Sequence, residues 1–192
     1  MNHPGKLFII SAPSGAGKST LIRQVLKRFD TLSYSISHTT RSPRKNEVNG
    51  QDYFFITAQE FEEKIDQGDW LEWAKVHDHY YGTSKAFVNE SLEKGQNLIL
   101  DIDVQGAKQI LDAGIKAVTI FIMAPSFDIL AQRLKDRGTD TRAVIEKRLE
   151  NARREIEQKE LYQYCVVNDD LDEAIASMCR IFENEILNKE SQ

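Results

Sequence analysis

Four short stretches of the chain are apolar at nearly every position: "KLFII" (Lys6 to Ile10), "NLILDID" (Asn97 to Asp103), "AVTIFIMA" (Ala117 to Ala124) and "YCVVN" (Tyr164 to Asn168). Unbroken apolar runs of this length, rich in β-branched residues, predict strands buried on both faces. The segments between them repeat differently. "KSTLIRQVLKRF" places Leu21, Ile22, Val25, Leu26 and Phe29 on one stripe, the period of an amphipathic helix. "VQGAKQILDAG" predicts a short helix closed by Gly114, and Pro125-Ser126 opens another. "DDLDEAIASMCRIFENEIL" predicts a last helix, with its acids in the first turn where the helix dipole favours them. Strand and helix alternate at both ends of the chain. This predicts an α/β fold with a central parallel sheet covered by helices.

Two segments break the alternation. Residues ~35–83 read as a small mixed β/α insert. Next to it, "LSYSIS" predicts a strand, and turn chemistry at Ser42-Pro43 and Asn49-Gly50 precedes another at Tyr53 to Ile56. Thr57 and Glu60 have capping-box spacing, which predicts a helix to about Asp66. "WLEWAKVHDHYYG" reads as strand and hairpin, after which Ser84 starts a helix that Gly95 ends. Residues ~126–155 are polar, helical and arginine-rich.

Composition narrows the classes. At 192 residues the chain fits one globular unit, and 41% apolar with 29% charged residues fits a soluble protein with a core. No apolar run approaches the ~18 residues of a membrane span, and "MNHPGKLF" does not read as a signal peptide. Cys165 and Cys179 are expected to be buried thiols of a reducing compartment rather than a disulfide. The histidines and cysteines have no zinc spacing. The net charge of −5 argues against nucleic acid as partner. Small anions remain, because local clusters suffice for them: "RSPRK" (Arg41 to Lys45) and the arginines from Arg133 to Arg154.

"APSGAGKST" follows the first strand and opens the first helix. It departs from the phosphate-loop pattern G-x-x-x-x-G-K-[ST] only in carrying Ala12 where the first glycine stands. In such a loop, backbone N–H groups cradle phosphate oxygens at a helix N-terminus, lysine adds charge, and the hydroxyl holds magnesium. Gly15, Gly17, Lys18, Ser19 and Thr20 supply those parts. Alanine can replace the first glycine if its φ is negative. The competing reading is an ordinary strand–turn–helix connection, but a lysine at a helix N-terminus is unfavourable without an anion. Asp101, at the end of "LILD", suits a Walker B carboxylate reaching magnesium, although strands also end in acids that merely cap.

"APSGAGKST", "TTRSPRKNEVNGQDYFF", "WLEWA", "YYGTS", "LILDIDVQG" and "RLKDRGTDT" occur in an order that resembles guanylate kinases, over about Lys6 to Leu187. The resemblance implies a P-loop NTPase three-layer fold with a GMP-binding insert and a helical lid. Its parts would be a core of 1–34, 84–125 and 156–192, a GMP-binding domain of 35–83 and a lid of 126–155. It implies transfer of the γ-phosphoryl group of ATP to GMP, with Mg²⁺ as cofactor on Ser19 and Asp101. ATP would lie on the loop from Ser14 through Ala16 to Thr20, with Arg133 against adenine and Asn168 at its edge. Arg41, Arg44, Tyr53 and Tyr81 would grip the GMP phosphate, since arginine forks match phosphate oxygens. Ser37, Glu72, Thr83 and Asp103 would read guanine. Lys18, Arg41, Arg137 and Arg148 would stabilise the transferring group, while Arg142, Arg153 and Arg154 are expected to make ordinary helix-surface pairs.

Taken alone, "TTRSPRK" reads better as a solvated basic turn, and Glu72 reads better as a surface residue of an edge strand. As a guanine reader, Glu72 would accept from N1–H and the 2-amino group together. Adenine offers neither and would leave the carboxylate unpaired, so discrimination could reach ~10⁴. The resemblance further implies a cytoplasmic enzyme, small-molecule substrates including dGMP as a further acceptor to test, and no membrane partner. It sets no oligomeric state. Two other readings stand beside it: a non-catalytic guanylate-kinase-like binding module, and a P-loop kinase for a ribose phosphate.

Overall fold

The computed structural model describes residues 4–76, 78–136 and 141–187. The chain forms two compact units: Met1–Phe8 with Thr31–Ala117, and Ile9–Asp30 with Val118–Gln192. The boundary falls inside the first strand, β1 (Leu7–Ser11), every residue of which is buried.

In the first unit, β2 (Leu32–Tyr34) runs parallel to a later strand, β7 (Asn97–Asp101). Four smaller pieces lie between them in sequence: β3 (His38–Thr39), β4 (Phe54–Phe55), β5 (Trp70–Val76) and β6 (His79–Ser84). These make a second sheet in the order β4-β3-β6-β5, with β3 parallel to β4 and antiparallel to β6. The strand expected at Tyr53 to Ile56 is cut to Phe54–Phe55, with the N–H groups of Phe54 and Ile56 donating to the carbonyls of Ser37 and Thr39. Helix α2 (Ala58–Asp66) opens on the full capping box: Glu60 N–H donates to the Thr57 hydroxyl, and Thr57 N–H to the Glu60 carboxylate. Its Phe61 ring stacks between Trp70 and Tyr80, with centroids 4.3 and 5.0 Å away. Gly82 is required under that stack, since a Cβ there would meet the Phe61 ring at 2.8 Å.

Helix α3 (Lys85–Glu93) starts at Ser84, whose hydroxyl accepts from Phe87 N–H, and passes into Gly95 at φ 79°. Helix α4 (Val104–Asp112) begins where β7 ends, with Asp103 as its cap. It packs on β5, and Gln109 bonds to both backbone groups of Trp73. Strand β5 is the end strand of its sheet, and Gln109 thereby satisfies a donor and an acceptor that an end strand leaves open.

The second unit holds the rest of β1, then α1 (Lys18–Leu26), β8 (Val118–Met123), α5 (Phe127–Asp136), α6 (Arg142–Glu157), β9 (Tyr164–Val167) and α7 (Leu171–Leu187). Strand β8 is buried from Val118 to Ile122 and runs parallel to β9. Helices α1 and α7 pack together. Including the shared β1, the five strands of the main sheet follow the order β2-β7-β1-β8-β9. Strand β9 is therefore an end strand, and this corrects one expectation. Cys179 is buried, but Cys165 is exposed, because alternate residues of β9 face outward. Among the described residues no helix is long and apolar enough to cross a membrane.

Candidate functional site

Each unit carries its own constellation. In the second unit the phosphate loop links β1 to α1. Gly15 and Gly17 adopt φ of 96° and 92°, where a Cβ is strained, so both glycines are needed by the backbone. Ala12 has no such requirement: among the described residues the one non-glycine at positive φ is Asp78. Alanine is therefore tolerated at the strand exit. Helix α1 starts at Lys18 with no side-chain cap from Gly17 and no acid in its first turn. Its dipole and first N–H groups thus favour an anion. Ser19 and Thr20 are exposed beside them.

Asn168 turns inward to this loop. Its amide Nδ2 donates to the Ala16 carbonyl at 2.8 Å, and it is 7% exposed. Its own backbone carbonyl accepts from the Arg133 guanidinium at 2.9 Å. The residue expected at the adenine edge thus also braces the loop, with Arg133 behind it. Arg148 on α6 donates to the Ser14 hydroxyl at 3.3 Å, which brings this arginine to the loop. Arg137 lies outside the described residues. Arg142 and Arg154 form i,i+4 pairs with Glu146 and Glu150, as the helix-surface reading expects. Arg153 does not follow that reading, because its guanidinium lies 4.5 Å from the Phe127 ring centroid.

In the first unit, Arg41 meets both tyrosines expected beside it. Its Nε donates to the Tyr81 hydroxyl at 3.3 Å, and its guanidinium lies 5.4 Å from the Tyr53 ring centroid. The fork itself is held by Glu47, which accepts two bonds at 2.8 and 2.9 Å. That pairing holds the Arg41 pKa up and the Glu47 carboxyl below its ordinary value. Arg44 is exposed, and its backbone N–H also donates to Glu47. The sequence signal for Glu47 is weak: an acid six positions after an arginine within one polar turn.

Glu72 is buried at 6% exposure, with Thr83 across the hairpin fully buried. The Thr83 hydroxyl donates to Glu72 Oε1 at 2.6 Å. A register shift between Trp70 and Glu72 in the β5–β6 pairing marks a bulge, the device by which a strand re-aims a side chain. Burial pushes the Glu72 carboxyl up to about 7, against the opposing pull of the Thr83 hydrogen bond and with a smaller push from the Asp103 charge. Asp103 caps α4: its Oδ1 accepts from the N–H groups of Gln105 and Gly106 at 3.0 and 2.9 Å. Ser37 is half-buried just before β3. Asp101, half-exposed at the end of β7, accepts from the Tyr34 hydroxyl at a long 3.5 Å. Burial, reinforced by Asp101, raises the Tyr34 pKa, so that hydroxyl stays a donor.

Comparison with known proteins bears on what these constellations serve. The guanylate kinase family model matches residues 4–185. The chain is 51% identical over 183 residues to a guanylate kinase of Neisseria gonorrhoeae, covering 92% of this chain and 89% of that protein. It is 43% identical over 181 residues to a guanylate kinase of Thermotoga maritima, covering 94% and 87%. The crystal structure of guanylate kinase from Anaplasma phagocytophilum superposes with a TM-score of 0.78 at 30% identity, over 96% of this chain and 87% of that one. With a phosphate loop in one unit, a buried carboxylate in the other, and likeness of this extent along nearly the whole sequence, the chain belongs to the guanylate kinase family and has its P-loop NTPase fold.

Proposed function

We propose that the chain transfers the terminal phosphoryl group of ATP directly to GMP, giving ADP and GDP, as a cytoplasmic enzyme. The observation that carries this reading is the buried Glu72–Thr83 pair. A carboxylate removed from water needs donors, and the guanine edge supplies two side by side, N1–H and the 2-amino group. Thr83 occupies Oε1 and orients the group; Asp103 and Ser37 complete the recognition of the base. Arg41, with Tyr53 and Tyr81 around it, takes the GMP phosphate in exchange for Glu47, and Arg44 adds a second cation.

The donor phosphates sit on the loop from Ser14 to Thr20. Lys18 and Arg148, with Arg137, offset charge on the moving group, and Arg133 and Asn168 hold the loop and the adenine side. The attacking GMP oxygen is already anionic and needs no general base. Magnesium fits the donor set, since a hard cation that keeps several waters takes only one or two protein oxygens beside the phosphates. The exposed Ser19 hydroxyl and the Asp101 carboxylate are oxygens of that kind. When bound, it neutralises charge on the β- and γ-phosphates. In this reading residues 35–83 form the GMP-binding domain, 126–155 the lid and the remainder the core, and closure excludes water.

The test is ADP formation in a coupled assay with GMP, dGMP, AMP and ribose phosphates as acceptors. GMP is expected to exceed AMP by up to ~10⁴ in kcat/KM. Preference for AMP or a ribose phosphate overturns the base assignment. Absence of acceptor-dependent ADP leaves the binding-module reading.

A further inference from the structure

Gly106 lies in the first turn of α4, where its helical backbone needs no glycine: its φ is not in the left-handed region. Glycine there weakens a helix relative to alanine. What the position does need is room. A Cβ built on Gly106 would stand 2.3 Å from Glu72 Oε2, 3.0 Å from its Cδ and 3.4 Å from its Cγ. The overlap with Oε2 is roughly 1 Å against ordinary contact. All three atoms belong to the same side chain.

Something would have to yield, and the helix is the stiffer partner. Gln109, one turn along the same helical face, ties α4 to the backbone of β5 through both groups of Trp73. Asp103 fixes the start of the helix by accepting from the Gly106 N–H itself. The Glu72 carboxylate is the far end of a flexible side chain, held among the described residues by Thr83 alone, through its hydroxyl and its backbone. A methyl at 106 therefore moves the carboxylate and leaves the helix in place. We infer that Gly106 is a positioning residue for base specificity: the absence of a side chain at 106 is the space in which Glu72 Oε2 stands to receive guanine. This rests on the reading of Glu72 as the guanine acceptor.

The experiment compares wild type, Gly106→Ala, Glu72→Ala and the double variant, in steady-state kinetics and thermal melting. A misplacement of about 1 Å at a reacting or binding group can cost ~10²-fold, so Gly106→Ala should raise the KM for GMP by about 10- to 100-fold. The KM for ATP should stay within about threefold, and the preference for GMP over AMP should fall with the GMP term. In the Glu72→Ala background the methyl has space, so Gly106→Ala should add no further loss of GMP binding. There it should raise Tm by about 2–4 °C through helix propensity. In the wild-type background the same substitution should not raise it.

An unchanged KM for GMP in Gly106→Ala, or an equal rise of Tm in both backgrounds, overturns the inference. If Gly106→Ala melts too low to assay, its recovery in the double variant supports the inference, and equal loss in both backgrounds refutes it. A wild-type protein without GMP kinase activity would instead refute the reading of Glu72, so the two failures are distinguishable.

Discussion

Glu72→Gln should make the protein more stable and a worse enzyme, with a pH dependence that identifies the cause. Burial holds the Glu72 carboxyl at about 7 in the folded chain, against 4.5 for the free group. Between those values the unfolded chain gives up its proton first, so stability falls as pH rises through that window. Above about 7 the full penalty is present, at about 3 kcal/mol. Below 4.5 it vanishes, because both states are protonated. Glutamine keeps an acceptor for the Thr83 hydroxyl and removes the charge. At pH 8 it should therefore recover at most about 3 kcal/mol, a rise of roughly 6–12 °C in Tm for a chain of this size. The unsatisfied amide hydrogens of glutamine bring the gain below that ceiling. Most of the gain should be gone at pH 5. The assay is thermal unfolding of both proteins at pH 5 and 8, with GMP kinetics beside it. A gain equal at the two pH values, or no gain at pH 8, would refute the account of a carboxylate strained by burial. In the same proteins the KM for GMP should rise as pH falls below about 7 in the wild type, since the acceptor must be ionised. In the variant the rise should be smaller and set by the second ionisation of the GMP phosphate itself, at about pH 6.

Two further outcomes follow from the phosphate loop. Lys18→Ala should lower kcat by orders of magnitude in a chain that still folds, since its charge acts on the moving phosphoryl group; near-normal turnover contradicts the mechanism. Asn168→Ala leaves the buried Ala16 carbonyl without its donor, at a cost of about 1–3 kcal/mol. It should raise the KM for ATP more than that for GMP, and equal effects on both substrates would show that the brace does not act on the loop.

The elements were largely legible because their signals are local. Strands β1, β7 and β8 read directly as apolar runs, and the capping residues Thr57 and Ser84 mark their helices where the structure has them. The sites were less legible because their partners are distant in sequence. Glu72 sits on an end strand, as the local pattern suggests, yet α4 covers that strand from 30 and more residues away. No property of "WLEWA" records this cover. Arg41 reads as part of a solvated basic turn until the fold brings Tyr81 to it from the opposite strand. The exposed Cys165 has the same origin in reverse: its strand is apolar enough to be interior, but no strand follows β9 in the sheet.

What the sequence by itself determined is therefore the order of strands and helices and the loop at Gly15 to Thr20, because hydrophobic period, turn chemistry and backbone conformation act over a few residues. What only the tertiary structure decided is the state of the side chains. It buries the Glu72 carboxylate against Gly106 and Thr83, commits the Asn168 amide to the loop and clasps Arg41 with Glu47. Desolvation and charge pairing depend on which distant segments arrive beside a group, and that arrival is a property of the folded chain.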